Sequence, residues 1–435
     1  MKYLLSALSG LELAPWFGFA LLCCSGNLYA EGDWPQWRGP KRDGHAADQR
    51  LLKSWPKQGP KLVWSCSSAG MGYSSVAVEG DRLFTMGKRS NENVLICFEA
   101  HDGTEKWVST VSTGATGNEY NTGWGDGPRS TPTIHGDYVY ALCDLGNLGC
   151  FSKTTGSPAW SVNLCREFGG EVPGWGYSES VLIDGNRVIA TAGGKNFLVG
   201  LDRLTGAKVW ESKFSDGAQY VSAIRNDFYG VPVFLSASKK GLVGIHADSG
   251  EILFLNAATG NGTAVIPTPL VSGNIIYHSS GYQAGNAAIR LSLVGGVLAS
   301  EQLYHEKKES MENHHGGTVL YEGVIYGFSK SLRGVWMAQD LESGKVLWTK
   351  KIGNGTSGSI AFADGLLYCY DDQDGTCYLV SPNRSGWVEL GRVGLPSKTD
   401  FDRKRGAIWT SPVIAGQKLY LRDQEKIFAF DIAAK

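Results

Sequence analysis

The stretch FLVGLDRLTGAKVW, residues 197–210, decides the fold, because close variants of it recur along the chain. Each variant has a small residue, a Gly six positions later and an aromatic residue four positions after that. The spacing predicts two strands joined by a turn at the Gly, with a large ring packed where its neighbours lack bulk. The sets are Cys97, Gly103, Trp107; Cys150, Gly156, Trp160; Gly200, Gly206, Trp210; Gly244, Gly250, Phe254; and Ala338, Gly344, Trp348.

A longer unit surrounds this motif. Each copy is preceded by a short polar start and by an alternating strand such as IHGDYVYALC (134–143). The starts recur at intervals of about 50 residues, which leaves room for four strands and is the signature of a β-propeller. The eight starts are GYSSV (72–76), RSTPT (129–133), YSESV (177–181), YVSAI (220–224), IPTPL (266–270), HGGTV (315–319), SGSIA (357–361) and WTSPV (409–413).

The last copy is truncated. In KIFAFDIAAK (426–435), Ala429 occupies the small position, but the chain ends before its Gly and Trp. Near the other end, GPKLVWS (59–65) reads as a fourth strand that lacks a sheet of its own and carries Trp64. Pairing the two removes the free edges that an open array would expose. The sequence therefore predicts an all-β, eight-bladed propeller closed by an N-terminal strand over residues 61–435.

Composition limits the classes of partner. Of 435 residues, 42% are hydrophobic and the formal net charge is −1, so no global field gathers nucleic acid or anionic lipid. Residues 1–30 read as an export signal, with the apolar stretch LAPWFGFALLCC (13–24) and cleavage near Ala30. We expect a periplasmic or secreted monomer with no transmembrane span. A lipid anchor at Cys23 or Cys24, or a buried N-terminal helix, is the alternative.

Between signal and propeller, residues 31–60 form an N-terminal segment that contains DWPQWRGPKRDG (33–44). Two Trp residues in so short a stretch predict that it folds back on the ring, with Trp34 and Trp37 as anchors. Seven cysteines follow the signal, without CxxC or CxxCH spacing. The sequence alone does not decide whether Cys369 and Cys377 form a disulfide across a hairpin.

The small–Gly–Trp motif resembles the tryptophan-docking motif of the quinoprotein, or PQQ-like, eight-bladed propellers. That superfamily includes periplasmic alcohol dehydrogenases and the lipoprotein of the outer-membrane β-barrel assembly machine. The chain is more closely similar to exported bacterial PQQ-binding-like repeat proteins, in DWPQWRGPKRDG (33–44), GDGPRSTPT (125–133), WGYSES (175–180), NHHGG (313–317) and LYLRDQ (419–424). The resemblance implies a fold and does not fix an activity.

The resemblance also bears on cofactors. Dehydrogenases of the superfamily carry adjacent cysteines beside the quinone, a calcium ion held by carboxylate and amide side chains, and an Asp base. Here the adjacent pair, Cys23 and Cys24, lies in the predicted export signal. We therefore predict no cofactor, with PQQ and calcium in a quinone-dependent oxidoreductase as the alternative.

In a propeller, the loops that enter the innermost strands emerge on one face, around the channel. Polar and aromatic residues fall in these loops, and we predict that they form a channel mouth for a small polar ligand, a carbohydrate or an envelope protein. The candidates are Trp124, Arg129, Trp175, Tyr177, Glu179, Lys195, Tyr282, Asn313, His314 and His315.

Each candidate also has a structural interpretation. Arg129 and Glu179 could pair with each other across neighbouring blades. His314 and His315 are adjacent, so on a strand they would point to opposite faces, and we expect one in the channel, one in a blade, and no shared metal. The favoured function is non-catalytic binding in the cell envelope. For an enzyme, Glu179 with His315 or Arg129 is the convergent acid–base candidate.

Overall fold

The computed structural model of the protein describes residue 30 and residues 32–353 and 355–435. The predicted export signal, with Cys23 and Cys24, therefore falls outside the described residues except for Ala30. Within the described chain, no helix is long and apolar enough to cross a bilayer.

Strand β1 (Lys61–Cys66) comes first in the chain and belongs to the last sheet. The next sixteen strands form four antiparallel sheets of four. They are β2 (Ala77–Glu79), β3 (Arg82–Arg89), β4 (Glu92–Glu99) and β5 (Glu105–Thr113); β6 (Thr133–His135), β7 (Tyr138–Leu142), β8 (Asn147–Ser152) and β9 (Pro158–Asn163); β10 (Leu182–Asp184), β11 (Arg187–Thr191), β12 (Leu198–Asp202) and β13 (Lys208–Glu211); β14 (Ile224–Phe228), β15 (Val231–Ser238), β16 (Gly241–His246) and β17 (Ile252–Asn256).

The remaining fifteen strands complete the other four sheets. They are β18 (Leu270–Ser272), β19 (Ile275–Ser280), β20 (Gly285–Val294) and β21 (Val297–Glu306); β22 (Thr318–Tyr321), β23 (Val324–Ser329), β24 (Val335–Asp340) and β25 (Val346–Lys350); β26 (Gly358–Ala363), β27 (Leu366–Asp371), β28 (Thr376–Ser381) and β29 (Val388–Gly394); β30 (Val413–Ala415), β31 (Lys418–Asp423) and β32 (Lys426–Asp431). One short α-helix, α1 (Leu164–Phe168), and three 3₁₀ turns (Thr122–Trp124, Ala257–Thr259, Ser331–Arg333) lie in connections.

The eight sheets form the predicted propeller, which confirms the fold class. The first strands of neighbouring sheets contact each other, as β2 does β6 and β26 does β30. The middle strands are buried: in β4, all side chains but those at the two ends are enclosed. The fourth strand of a sheet alternates between covered and exposed residues, as β5 does, because it forms the outer rim.

The small–Gly–Trp motif has a clear geometric meaning in the structure. The small residue lies directly opposite the aromatic residue on the neighbouring strand, as Cys97 does Trp107 and Gly200 does Trp210. The ring then packs on the motif Gly of the following sheet. A Cβ on Gly206 would stand 2.8 Å from the Trp160 ring, whose Nε1 donates to the Arg203 carbonyl at 2.9 Å.

In the described chain a ring packs in this way on Gly103, Gly156, Gly206 and Gly344, which confirms the predicted inter-blade packing for Trp64, Trp107 and Trp160; at Gly344 the ring is Tyr304. Apolar core lies between the sheets as well; one cluster, for example, combines side chains from the second and third sheets. The indole donors and their carbonyl acceptors in the next sheet are Trp64 to Ala100, Trp160 to Arg203, Trp210 to Asp248 and Trp348 to Asn383.

The eighth sheet contains the first and the last strand of the described chain. Its strand order is β1, β32, β31, β30, and Trp64 lies opposite Ala429. The Trp64 ring packs on Gly103 of the first sheet, where a Cβ would stand 2.5 Å from the ring. The N-terminal strand thus supplies the indole that docks the last sheet on the first.

The cysteines are structural. Burial raises the pKa values of Cys97 and Cys150 to about 12, so both thiols are protonated and inert at neutral pH. Cys369 and Cys377 are free. Cys369 lies opposite Tyr378 and Cys377 opposite Tyr370, one register step apart, so the two thiols point to opposite faces of the sheet and no bridge forms.

Residues 33–46, which we call the strap, cross the channel. Arg38 and Arg42 are buried with left-handed backbone conformations, and their guanidinium groups donate to backbone carbonyls of the ring. The contacts lie in or within two residues of six of the eight innermost strands, so the strap spans the channel. The strap bonds or bridges to Val78, Ile134, Val181, Thr268, Leu320 and Phe362.

We predict that Gly103→Ala destabilises the propeller by about 2–4 kcal/mol, because the new methyl group overlaps the Trp64 ring and the residue has φ +75°. Gly136→Ala is the matched control: it has φ +60° and nothing within 4 Å of the new Cβ, so it carries only the backbone strain. Denaturant unfolding measures both. Equal losses in the two variants would show that docking of Trp64 contributes nothing.

Candidate functional site

Residues at one equivalent position in successive blades form the channel mouth. This position is that of the residue four places before the innermost strand, where the chain turns inward at the end of a polar loop. In seven of the eight sheets this residue lines a single cavity of about 560 Å³; in the seventh sheet the position is not described. The seven residues are Tyr73, Arg129, Ser178, Tyr220, Ile266, His314 and Trp409.

Six of the ten predicted mouth residues line this cavity. They are Trp124, Arg129, Trp175, Tyr282, His314 and His315. They come from the loops that enter the second, third and sixth blades and from the β19–β20 hairpin of the fifth, so the ring brings together residues distant in sequence. The volume lies in the range of small-molecule pockets.

The other four predicted residues do not line the cavity. Glu179 is buried in its own blade, where its carboxylate accepts hydrogen bonds from the Thr191 amide and hydroxyl. The Tyr177 hydroxyl donates to the Ala192 carbonyl at 2.9 Å. Asn313 is fully buried and bonds backbone carbonyls, and Lys195 lies on an exposed hairpin. Glu179, Tyr177 and Asn313 lie outside this cavity because polar side chains in the entry loops also hold the loops in shape.

The proposed Arg129–Glu179 pair does not form either. Arg129 donates instead to the carbonyls of Gly127 and Gly125, at 3.1 and 3.0 Å. With Glu179 enclosed in its blade, the acid–base combination of Glu179 with His315 or Arg129 has no common cavity.

The two histidines correct a second expectation. Both line the cavity, because residues 313–317 form a loop before β22 and the strand rule does not apply. Their ring centroids are 3.9 Å apart. Burial lowers the pKa of His314 to about 3, and burial with the nearby His314 and Lys330 lowers the pKa of His315 well below its usual range. Both imidazoles are therefore neutral at physiological pH.

Aromatic rings form a continuous wall of the cavity. Tyr73 packs on Trp409 at 5.2 Å between centroids, and Trp409 stacks on His315 at 4.6 Å. His315 contacts His314, which bonds the Tyr282 hydroxyl at 2.9 Å. The wall thus runs through residues of four blades, and each ring is fixed by its neighbours.

Cations stand at both ends of this wall. The Arg129 guanidinium lies 5.7 Å from the Tyr73 ring centroid, and Lys330 lies 5.1 Å from that of Tyr282. Arg405 lies over Trp124 at 5.9 Å. No Asp or Glu occurs among the described residues that line the cavity. The site is therefore cationic and aromatic.

Several residues that line the cavity were not among the candidates predicted from the sequence. Tyr73, Tyr220 and Trp409 occupy the same offset before an innermost strand as Arg129, so an alignment of the eight starts on that position would have found them. Trp37 was expected as an anchor only. Its Nε1 donates to Thr268 Oγ1 at 3.1 Å, and its position on the strap makes it the floor of the cavity.

The lining does not fit a calcium-held quinone. Calcium takes oxygen ligands, chiefly carboxylates, and the described lining offers three cations and no carboxylate. In the described chain there is also no group of three or more His, Cys, Asp or Glu placed to hold a metal ion. The residues for the metal and for an Asp base of the dehydrogenase type are thus missing from this cavity.

We predict that Glu179 makes stability fall as pH rises. Burial raises the pKa of its carboxyl to about 7 from an ordinary 4.5, so between these values the unfolded chain ionises while the folded chain stays protonated. The free energy of unfolding should lose up to about 3 kcal/mol across this window.

Glu179→Gln should abolish that part of the pH dependence, whatever constant change it adds, while the exposed Glu301→Gln should leave it intact. Urea titrations at pH 4.5 and 8 measure the difference. If the free energy of unfolding differs between the parent and Glu179→Gln by the same amount at both pH values, the account is contradicted.

The comparisons with known proteins agree with this architecture. A family model described as outer membrane protein assembly factor BamB matches residues 108–350. Among curated proteins, outer membrane protein assembly factor BamB of Yersinia pestis is 24% identical over 345 residues, which are 74% of this chain and 76% of that protein.

Solved structures show the same fold. BamB from Moraxella catarrhalis has a TM-score of 0.55 at 16% identity, over 82% of this chain and 94% of its own. A quinohemoprotein alcohol dehydrogenase from Pseudomonas putida has a TM-score of 0.62 at 11% identity, over 93% of this chain and 81% of its own. Since the family model covers more than half of the chain, the protein belongs to the family that this model describes, the BamB group of PQQ-like β-propellers.

Proposed function

We propose that the protein is an exported propeller that acts in the cell envelope by binding, without chemistry, through the cavity at its channel mouth. The observation that carries this proposal is that seven sheets each direct the residue at the same offset into one cavity. A rigid ring that converges loops on one point is a common way to build a binding site.

The chemistry of the lining supports binding over catalysis. A general acid–base mechanism needs groups that exchange protons near the working pH. The two imidazoles are held neutral by pKa values far below that range, and the raised carboxyl of Glu179 lies outside the cavity. What the cavity offers is ring surface, positive charge and neutral hydrogen-bonding groups.

Family membership favours one specific envelope role as a second candidate. The matched family model and the relative from Yersinia pestis are named as outer membrane protein assembly factors. In that case the occupant of the mouth is a segment of another envelope protein. The quinone-dependent oxidoreductase stays an alternative that the lining does not favour.

Photo-crosslinking tests the proposal in cells. A photoreactive residue at Trp124, which is 39% exposed at the mouth, should give a defined adduct with a ligand or envelope protein. The matched control is Val209, which is 57% exposed on the outer strand β13. Adducts at Val209 and none at Trp124 would move the binding surface away from the mouth.

The location has its own test. Mass spectrometry of the protein recovered from the envelope fraction should find a mature N-terminus at Glu31, because the signal is removed after Ala30. A lipid-modified N-terminus at Cys23 or Cys24 would show that the protein is anchored to a membrane by a lipid. Retention of residues 1–30 in a cytoplasmic protein would contradict export.

A turnover assay addresses the alternative. Purified protein supplied with PQQ, calcium and short-chain alcohols should reduce an artificial electron acceptor no faster than the same mixture with the protein denatured. Turnover that requires both the quinone and calcium would overturn the non-catalytic proposal.

A further inference from the structure

We propose that the mouth cavity binds an acidic carbohydrate: the aromatic wall stacks on sugar rings, and the cations hold their carboxylate or sulfate groups. The inference rests on the proposed function and names its ligand class. It follows from three features of the cavity, namely its charge, its ring surfaces and its neutral hydrogen-bonding wall.

Charge comes first. Arg129, Lys330 and Arg405 make no ion pair with any described carboxylate, although other basic residues of the chain do, such as Lys88 with Asp126 at 2.7 Å. With no described carboxylate within ion-pair distance of these three cations, an anion in the cavity adds a favourable interaction with each of them. Arg129 is held in place by two backbone carbonyls and by the Tyr73 ring, so little freedom is lost when it binds an anion.

The ring surfaces exclude a simple inorganic anion as the whole ligand. Trp124 is 39% exposed, and Trp175 and Trp409 are half-buried at the cavity. Exposed aromatic faces in a concave site bind the apolar faces of a ligand. The ligand must therefore carry flat apolar faces beside its negative charge.

Hydroxyl groups distinguish a sugar from an aromatic acid. The wall formed by the third, fourth and fifth blades presents Ser178, Ser222, Thr263 and Thr268. The hydroxyls of Ser222 and Thr268 each accept a hydrogen bond within the protein, from the Ser180 amide and the Trp37 indole, and a hydroxyl that accepts one bond can also donate one. A ligand rich in hydroxyls pairs with such groups where an aromatic acid does not. An acidic sugar combines all three requirements: apolar ring faces, many hydroxyls and a carboxylate or sulfate.

Unpartnered buried donors and acceptors point to the same ligand. His315 has a buried Nδ1 and Trp409 a buried Nε1, and neither has a hydrogen-bond partner within the described chain. Because the pKa of His315 is depressed by burial, the imidazole is neutral and offers one donor and one acceptor. A sugar hydroxyl both donates and accepts, so it matches a neutral imidazole.

The strap determines how the ligand is held. Trp37 lines the cavity from the strap, which contacts blades on opposite sides of the channel, so we expect a ligand to enter and leave by the mouth. A polysaccharide cannot pass through the ring and must insert a chain end. We therefore expect short acidic oligosaccharides to bind as well as long ones.

Titration calorimetry and Trp fluorescence on the full chain test this inference. The probes are a short oligogalacturonate, a sulfated oligosaccharide, a neutral cello-oligosaccharide of the same length and an acidic peptide. We expect at least one acidic sugar to bind and to change the fluorescence. The neutral sugar and the peptide should bind at least tenfold more weakly, and the preferred sugar identifies carboxylate or sulfate as the anionic group.

Two variants at the mouth and one control separate binding from folding. Arg129→Gln and the exposed Lys330→Gln should each weaken acidic-sugar binding at least tenfold, with unchanged melting temperature for Lys330→Gln. Arg392→Gln removes the same charge from the outer strand β29, where it is 58% exposed and pairs with Glu389, and should bind as the parent does.

The outcomes distinguish this inference from the proposal on which it rests. Equal binding of acidic and neutral sugars, or preferential binding of the acidic peptide, would overturn the inference. If no sugar binds while the Trp124 crosslink still forms, the ligand class is wrong and the mouth stays the binding site. If both fail, the proposed function fails as well.

Discussion

Packing of an aromatic ring on the motif Gly of the next sheet is the interaction on which this structure depends. It needs three residues at fixed spacing: a small residue opposite the ring, the Gly that accepts the ring, and the ring itself. At four junctions the indole also donates to a carbonyl of the next sheet, so there the interaction sets both distance and orientation. Repetition of the contact curves the array until its ends meet, and Trp64 makes the same contact on Gly103.

Closure of the ring makes a site possible. Each blade alone places one loop residue four positions before its innermost strand, with no pocket around it. Only when the sheets surround one axis do Tyr73, Trp409 and His315, which lie far apart in the sequence, form a stacked wall. The strap adds the floor, because Trp37 crosses beneath these residues and bonds Thr268.

Most of the fold could be predicted from the sequence, because docking depends on residues close together in the chain. The pairing of Trp64 with Ala429 could be inferred as well, since a truncated motif at one end matched an unassigned strand at the other. The site could be predicted only in part, because six candidates line it while other lining residues, such as Tyr220 and Trp409, were not among the candidates. Which side of an entry loop faces the channel depends on packing between blades, and this is why Glu179 was misplaced while Trp409 was missed.

His314 and His315 likewise show that a local sequence pattern does not determine which way a loop side chain points. Alternation holds on a strand, but residues 313–317 form a loop whose shape is fixed by the buried Asn313 amide bonding the carbonyls of Gly317 and Phe328. The amide thus sends both imidazoles to one cavity, which no local pattern reveals.

Hydrogen exchange of the closing strand tests the central claim most directly. If β1 completes the eighth sheet, the amides of residues 61–66 that pair with β32 should exchange as slowly as those of β32 itself, because both lie in one hydrogen-bonded ladder. Exchange of residues 61–66 at the rate of an unstructured terminus, with β32 still protected, would contradict closure of the ring by this strand.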